Sequence, residues 1–281
     1  MGVNAVFKKE LLKKDIQYVT SKVFTNRRDI YLQIWRVNEI GRCSSKILRK
    51  RGECEDLVEK KKDINNFLTE KIGLKKSFYQ NMPEATVEIN LSQSEDDIFK
   101  DISATSKRYI RKYEKNKLAF KGVDEEKGVS KFWDLWNQMA QKKNISIWPQ
   151  SQTLKLINLL HQKKQWWLFV AETPNWDIAF GAVIIFLENR IVYLYGALNP
   201  AYPWSSYRFM WHLLLWSKQK GFEIFDLLGV KSIIAPETHT WSDISRFKYS
   251  LGGEHIEYIG NFDIVHNVFL YEAAKIFKNL K

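Results

Sequence analysis

The chain has 281 residues, 45% hydrophobic and 14% aromatic, enough apolar side chain for a sizeable core in one or two domains. Its apolar runs are about strand length and its start, MGVNAVFKKELLKK, lacks a signal-peptide core, which argues against a membrane span and for the cytoplasm, with peripheral membrane contact left open. The net charge of +12 is uneven: residues 1–130 carry 28 Lys plus Arg against 20 Asp plus Glu (+8), residues 131–281 carry 16 against 12 (+4), so an anionic partner belongs with the first half.

Residues 5–24 predict a helix with Leu11, Leu12, Ile16, Val19 and Val23 on one face, followed by a strand over Ile30–Val37. The charged stretch Gly41–Asp63 shows no sustained period and is expected to be a solvated loop. It holds both cysteines, Cys43 and Cys54, which are expected as reduced thiols, since no CxxC or His/Cys cluster offers a metal site. A helix over 64–72 should stop at Gly73, and Thr86–Leu91 alternates as a half-buried strand. Ser94 then caps a helix with Glu95, Asp96 and Asp97 in its first turn. If that helix runs on to 116, Lys107, Arg111 and Lys115, with Arg108 and Lys112 beside them, form a basic stripe.

Val129–Ala140 predicts a helix burying Phe132, Trp133 and Trp136, and Pro149 separates it from a second helix over Ser151–His161. Trp166–Glu172 and Ile178–Leu187 read as strands joined at Pro174-Asn175, and Ile191–Ala197 completes a hairpin through Asn189-Arg190. Pro200 and Pro203 hold the next loop open until Ser205 or Ser206 caps a helix whose buried positions include Tyr207, Met210, Trp211 and Leu214. Gly221 ends that helix, and a strand over Glu223–Leu228 follows at once, the signature of a crossover to a parallel neighbour. Ser242 or Asp243 caps a short helix carrying Phe247 and Lys248 that stops at Gly252-Gly253, and an amphipathic tail runs from His266 to Asn279.

Two blocks, TVEINLSQSEDDIFKDISATSKRYIRKYEKNKLAF and the stretch from YLYGA through KGFEIFDLLGV to FKYSLGG, occur in an order that resembles the Fem family of peptidoglycan aminoacyltransferases over residues 83–263. The resemblance implies an α/β (α+β) fold of GNAT type, a mixed sheet flanked by helices. It further implies an abbreviated first domain over 1–125, containing the basic helix 94–116, and a complete domain over 126–281. Relatives carry additional elements ahead of the Ile30–Val37 strand, so this chain reads as shortened there, and no heptad-bearing segment matches the coiled-coil arm of some relatives.

The activity implied is transfer of an amino acid from aminoacyl-tRNA to the stem-peptide amine of a peptidoglycan precursor, lipid II or UDP-MurNAc-pentapeptide, with no DNA involved. Lys248 matches the lysine of the family's FK motif and would stabilise charge in the cleft, with Tyr195, Tyr202, Arg208, Arg108 and Arg111 binding substrate. Each also has a plain structural reading, as core for Tyr195 and as solvent-facing charge for the arginines; Asp226 either orients a neighbour or is a hydrogen-bonded structural residue. No cofactor is expected. NPAYPWSSYRF, where acetyltransferases cradle the coenzyme A pyrophosphate on backbone N–H groups, has two prolines and no glycine, which disfavours coenzyme A. Gln150, Thr153 and Leu154 replace the basic and aromatic residues that relatives place on substrate phosphates. That departure, with the short first domain, keeps a non-catalytic precursor-binding module as the alternative, alongside an acyltransferase with another activated donor.

Overall fold

The computed structural model describes residues 31–34, 39–49, 54–78, 83–112, 117–123, 126–142 and 166–279. The first part holds β1 (Tyr31–Ile34), β2 (Glu39–Ser44), α1 (Ser45–Arg49), α2 (Glu55–Asn66), β3 (Lys75–Lys76), β4 (Ala85–Asn90), α3 (Glu95–Asp101), α4 (Ala104–Lys112) and β5 (Ala119–Val123). Then come α5 (Glu126–Lys142), β6 (Trp166–Glu172), β7 (Ile178–Leu187), β8 (Arg190–Leu198), α6 (Ser205–Gln219), β9 (Ile224–Asp226), α7 (Ser242–Ser250), β10 (Glu254–Tyr258), β11 (Phe262–Val265) and α8 (Val268–Asn279).

One eight-stranded sheet runs β2-β10-β4-β9-β8-β7-β6-β5, and a three-stranded sheet runs β1-β11-β3. The large sheet is antiparallel except where β8 meets β9, the parallel pair expected from the α6 crossover. The mixed α/β fold with flanking helices is therefore as expected. Helices cover both faces: Phe209, Met210, Leu213 and Leu214 of α6 pack with Val87, Ile89, Ile191, Tyr193 and Phe225, while Phe132, Trp133 and Trp136 of α5 pack with Leu168, Val170, Val183 and Ala197. A bulge in β8 decides which face its tyrosines join. Ile184 pairs with Tyr193 but Val183 with Tyr195, so Leu194 is extra and Tyr195 turns to the α5 side, away from Tyr193.

Four expectations need correction. The described residues of Gly41–Asp63 are not the expected loop: 41–44 complete β2, 45–49 form α1 and 55–63 belong to α2, because β2 pairs with distant β10, a contact that local periodicity does not register. Cys43 and Cys54 are joined in a disulfide, their Cα atoms 6.4 Å apart, since α2 packs its Leu57 against Ile40 and Cys43 of β2. The basic helix of 94–116 is two helices, broken where Ile102 adopts extended backbone. Ser103 restarts the chain there, accepting from Ser106 N at 3.2 Å while its own N–H donates to Ser250 O at 2.9 Å. The serines nominated as caps of α6 and α7 lie inside those helices, behind Trp204 and Trp241; Ser205 Oγ instead donates to Ala179 O, and Ser242 Oγ to Glu237 O. Ser94 does cap α3, accepting from Asp97 N at 3.1 Å. The helices predicted over 5–24 and 151–161, with Lys115, Gln150, Thr153 and Leu154, lie outside the described residues.

Candidate active site

The chain leaves β9 through a turn built on Asp226. Its Oδ1 accepts the N–H of Leu228 at 2.8 Å and the hydroxyl of Thr86, and this holds Leu228 in the left-handed region at φ +54°. A branched-side-chain residue at such a φ is strained, so the carboxylate sets the direction of the carbonyls that follow. Lys248, on α7, donates its Nζ to the carbonyls of Leu228 at 2.7 Å and Gly229 at 2.8 Å. Its residue is only 7% exposed, with the ring of Tyr193 5.9 Å from the ammonium. Burial lowers the amine to about 7, with the nearby Asp226 carboxylate opposing the shift. A neutral Nζ spends both hydrogens on the two carbonyls and keeps a lone pair, whereas the protonated form has a third N–H for a developing oxyanion.

Next to this turn a cleft of about 440 Å³ is lined by Val230, Lys231, Ser232, His239 and Trp241, with Lys76 and Glu84 opposite. Phe247, the residue before the lysine on α7, meets Tyr207 of α6 edge-on at 5.4 Å; Tyr207 stacks on Tyr109 of α4 at 5.1 Å, and Arg108 lies 5.6 Å from the Tyr109 ring. Arg111 lies over Phe99 at 5.1 Å, and Phe99 meets Trp211 of α6. Arg208 stands in the first turn of α6, where its charge adds to burial in lowering His212. Arg108 and Arg111 thus lie exposed on α4 and Arg208 lies part-buried on α6, whereas Lys248 is buried against the turn after β9. Two of the nominated residues lie elsewhere. Tyr195 is half-buried against Trp136 at 4.7 Å, and Tyr202 donates to Asp177 at 3.1 Å on the exposed loop before α6.

Sequence reasoning missed a buried polar chain behind α7. Tyr249 OH lies 3.0 Å from His255 Nδ1, His255 Nε2 lies 2.8 Å from Glu257, and Lys61 Nζ, fully buried, lies 3.1 Å from the same carboxylate. Burial pushes the Glu257 carboxyl up, but the bonds from His255 and Ser232 and the charge of Lys61 outweigh it and hold the group below its ordinary value. The faint signal was EHIEY, whose inward positions are polar; nothing distinguished Lys61 inside its run of three lysines. Among the described residues no group of three or more His, Cys, Asp or Glu is arranged for a metal ion, and no helix is long and apolar enough to cross a membrane.

Residues 155–279 match the FemAB family model, a stretch that contains β8, α6, β9 and the Lys248 turn. No curated protein matches the chain. Among solved structures, a crystal structure of FemX is similar at 13% identity and a TM-score of 0.63, over 95% of this chain and 78% of that one. L-PGS from Bacillus licheniformis is 10% identical at a TM-score of 0.48, over 75% of this chain and 68% of its own. A GCN5-related N-acetyltransferase from Kribbella flavida is 10% identical at 0.36, over 82% and 49%. The match to the FemAB family covers a little under half of the chain, residues 155–279. At the coarse level, that match supports an acyltransferase.

Proposed function

We propose that the protein moves an amino acid from aminoacyl-tRNA to the stem-peptide amine of a peptidoglycan precursor. The observation that carries the reading is Lys248: a buried amine lowered to about 7, held by two backbone carbonyls at the end of the parallel strand pair, inside the stretch that matches the FemAB model. In the reaction the acceptor amine attacks the ester carbonyl, a C–N bond forms, the C–O bond to the terminal ribose breaks, and the ribose oxygen takes a proton as the nitrogen loses one. The ester arrives activated, so the protein's part is alignment and stabilisation of the tetrahedral oxyanion by the third N–H of Lys248. The basic residues Arg108, Arg111 and Arg208 suit a polyanionic donor.

The test is a transfer assay with labelled aminoacyl-tRNAs and both lipid-linked and nucleotide-linked precursors, comparing the wild-type chain with Lys248→Met. Transfer should fall by about a hundredfold, the scale of losing one oxyanion donor. The burial of Lys248 favours one competing reading, in which the lysine merely ties α7 to the β9 turn of a precursor-binding module. Precursor binding without transfer by the folded wild-type chain would establish that reading instead.

A further inference from the structure

A second cleft, of about 650 Å³, opens at the other end of β9. It reaches from Glu223 and Ile224 at the start of β9 to Glu88, which pairs with Asp226 at the end of that strand, just before the turn that holds Lys248. Four carboxylates line it, Glu88, Asp101, Glu223 and Glu254, against the guanidinium of Arg42, with Arg190 paired to Glu88 and Arg49 3.7 Å from Asp101, a formal charge of −1 (three minus four) in a chain whose total is +12.

Two of the carboxylates are committed. Asp101 accepts Gly253 N at 2.7 Å, and Glu223 accepts Asn189 Nδ2 at 2.6 Å. Glu88 and Glu254 stand directly opposite each other on neighbouring strands, which puts both on one sheet face. Glu254 is at the rim, its side chain 55% exposed, 3.4 Å from Arg42. Glu88 is 5% exposed, and its Oε1 accepts from Arg190. Its Oε2 is buried and accepts no hydrogen bond; the Nη1 of Arg42 stands 3.5 Å away, an ion-pair distance. A buried carboxylate oxygen without a donor costs free energy on the order of 1–3 kcal/mol, and a ligand that supplies the donor recovers it.

We propose that this cleft is a binding site for the ammonium group of a small organic amine, of amino-acid to short-peptide size, with Glu88 Oε2 receiving the N–H and Glu254 supplying the second charge. Among the described residues no group of three or more His, Cys, Asp or Glu is arranged for a metal ion, which favours an organic cation. The neutral neighbours Ser44, Asn90 and Ser92 offer both donors and acceptors to the rest of such a molecule. The inference does not depend on the aminoacyl-transfer reading, because it rests on Glu88 and Glu254 and assigns no role to Lys248.

Calorimetric titration of the full chain with 1,5-diaminopentane tests it, with 1,5-pentanediol and calcium chloride as controls. The diamine should bind saturably and the diol should not. Glu88→Gln and Glu254→Gln should each weaken binding by roughly tenfold or more, the scale of one charge-assisted hydrogen bond. Should Glu88→Gln fail to fold for want of its Arg190 pair, Glu254→Gln decides. No saturable binding at millimolar diamine, equal binding of the diol, displacement by calcium, or full affinity in Glu254→Gln would each overturn the proposal.

Discussion

At the scale of single residues, Lys248 couples the site to pH. Its folded value is about 7 against an ordinary 10.5. Between those values the unfolded chain holds a proton that the folded chain has released. Stability therefore rises with pH across that window, and below about 7 the cost of burying the charge is present in full. The difference between wild type and Lys248→Met in urea denaturation should accordingly grow in wild type's favour from pH 7 towards pH 10, with a slope approaching about 1.4 kcal/mol per pH unit. A flat difference across that range would mean that the amine keeps its ordinary affinity for protons. The transfer reaction should show the same group from the other side, losing rate as pH rises through about 7 if the protonated form serves the oxyanion.

At the scale of elements, the joint between α7 and β10 admits no side chain. Gly252 and Gly253 take φ +94° and +79°, and a Cβ on Gly253 would stand 2.3 Å from the backbone oxygen of Glu88, which cannot move without breaking β4 from β10. Gly253→Ala should destabilise the fold by about 2–4 kcal/mol, read as a fall in the urea midpoint. This Gly-Gly stop was legible, as were the Ser94 cap, the β6–β8 meander and the parallel crossover, because each is decided within a few neighbouring residues. The break at Ile102 was not, because it is fixed from far along the chain: Ser103 bonds Ser250, and the carbonyl of Asp101 accepts from Arg49 at 2.6 Å. Lys248 was legible as a motif residue, but its two carbonyl partners depend on the left-handed Leu228, which no pattern of residue types announces. The side that Tyr195 takes was not legible for a similar reason, since a one-residue bulge reverses the face of everything after it.

At the scale of the whole molecule, the region of β2 and α2 is cross-linked, and its contribution should be measurable. The Cys43–Cys54 bridge spans a sequence separation of 11, and a loop of that size corresponds to about 3 kcal/mol of chain entropy. Dithiothreitol should lower the melting temperature of the wild type and leave the Cys43→Ser/Cys54→Ser double variant unaffected. Identical melting of wild type with and without reductant would show that the bridge adds no stability. Why the long charged stretch concealed regular structure follows from the same architecture: β2 is a sheet edge whose one partner, β10, lies more than two hundred residues further on, so no local pattern had to advertise it.

That placement of β10 between β2 and β4 bears on synthesis as well as on stability. A ribosome releases β2 and β4 early, yet they do not touch each other in the finished sheet, and the strand that joins them arrives only with residues 254–258. Until then two exposed strand edges wait side by side, open to pairing with other nascent chains. Joining them is the insertion of a strand into a gap, a step that cannot occur until nearly the whole chain has emerged.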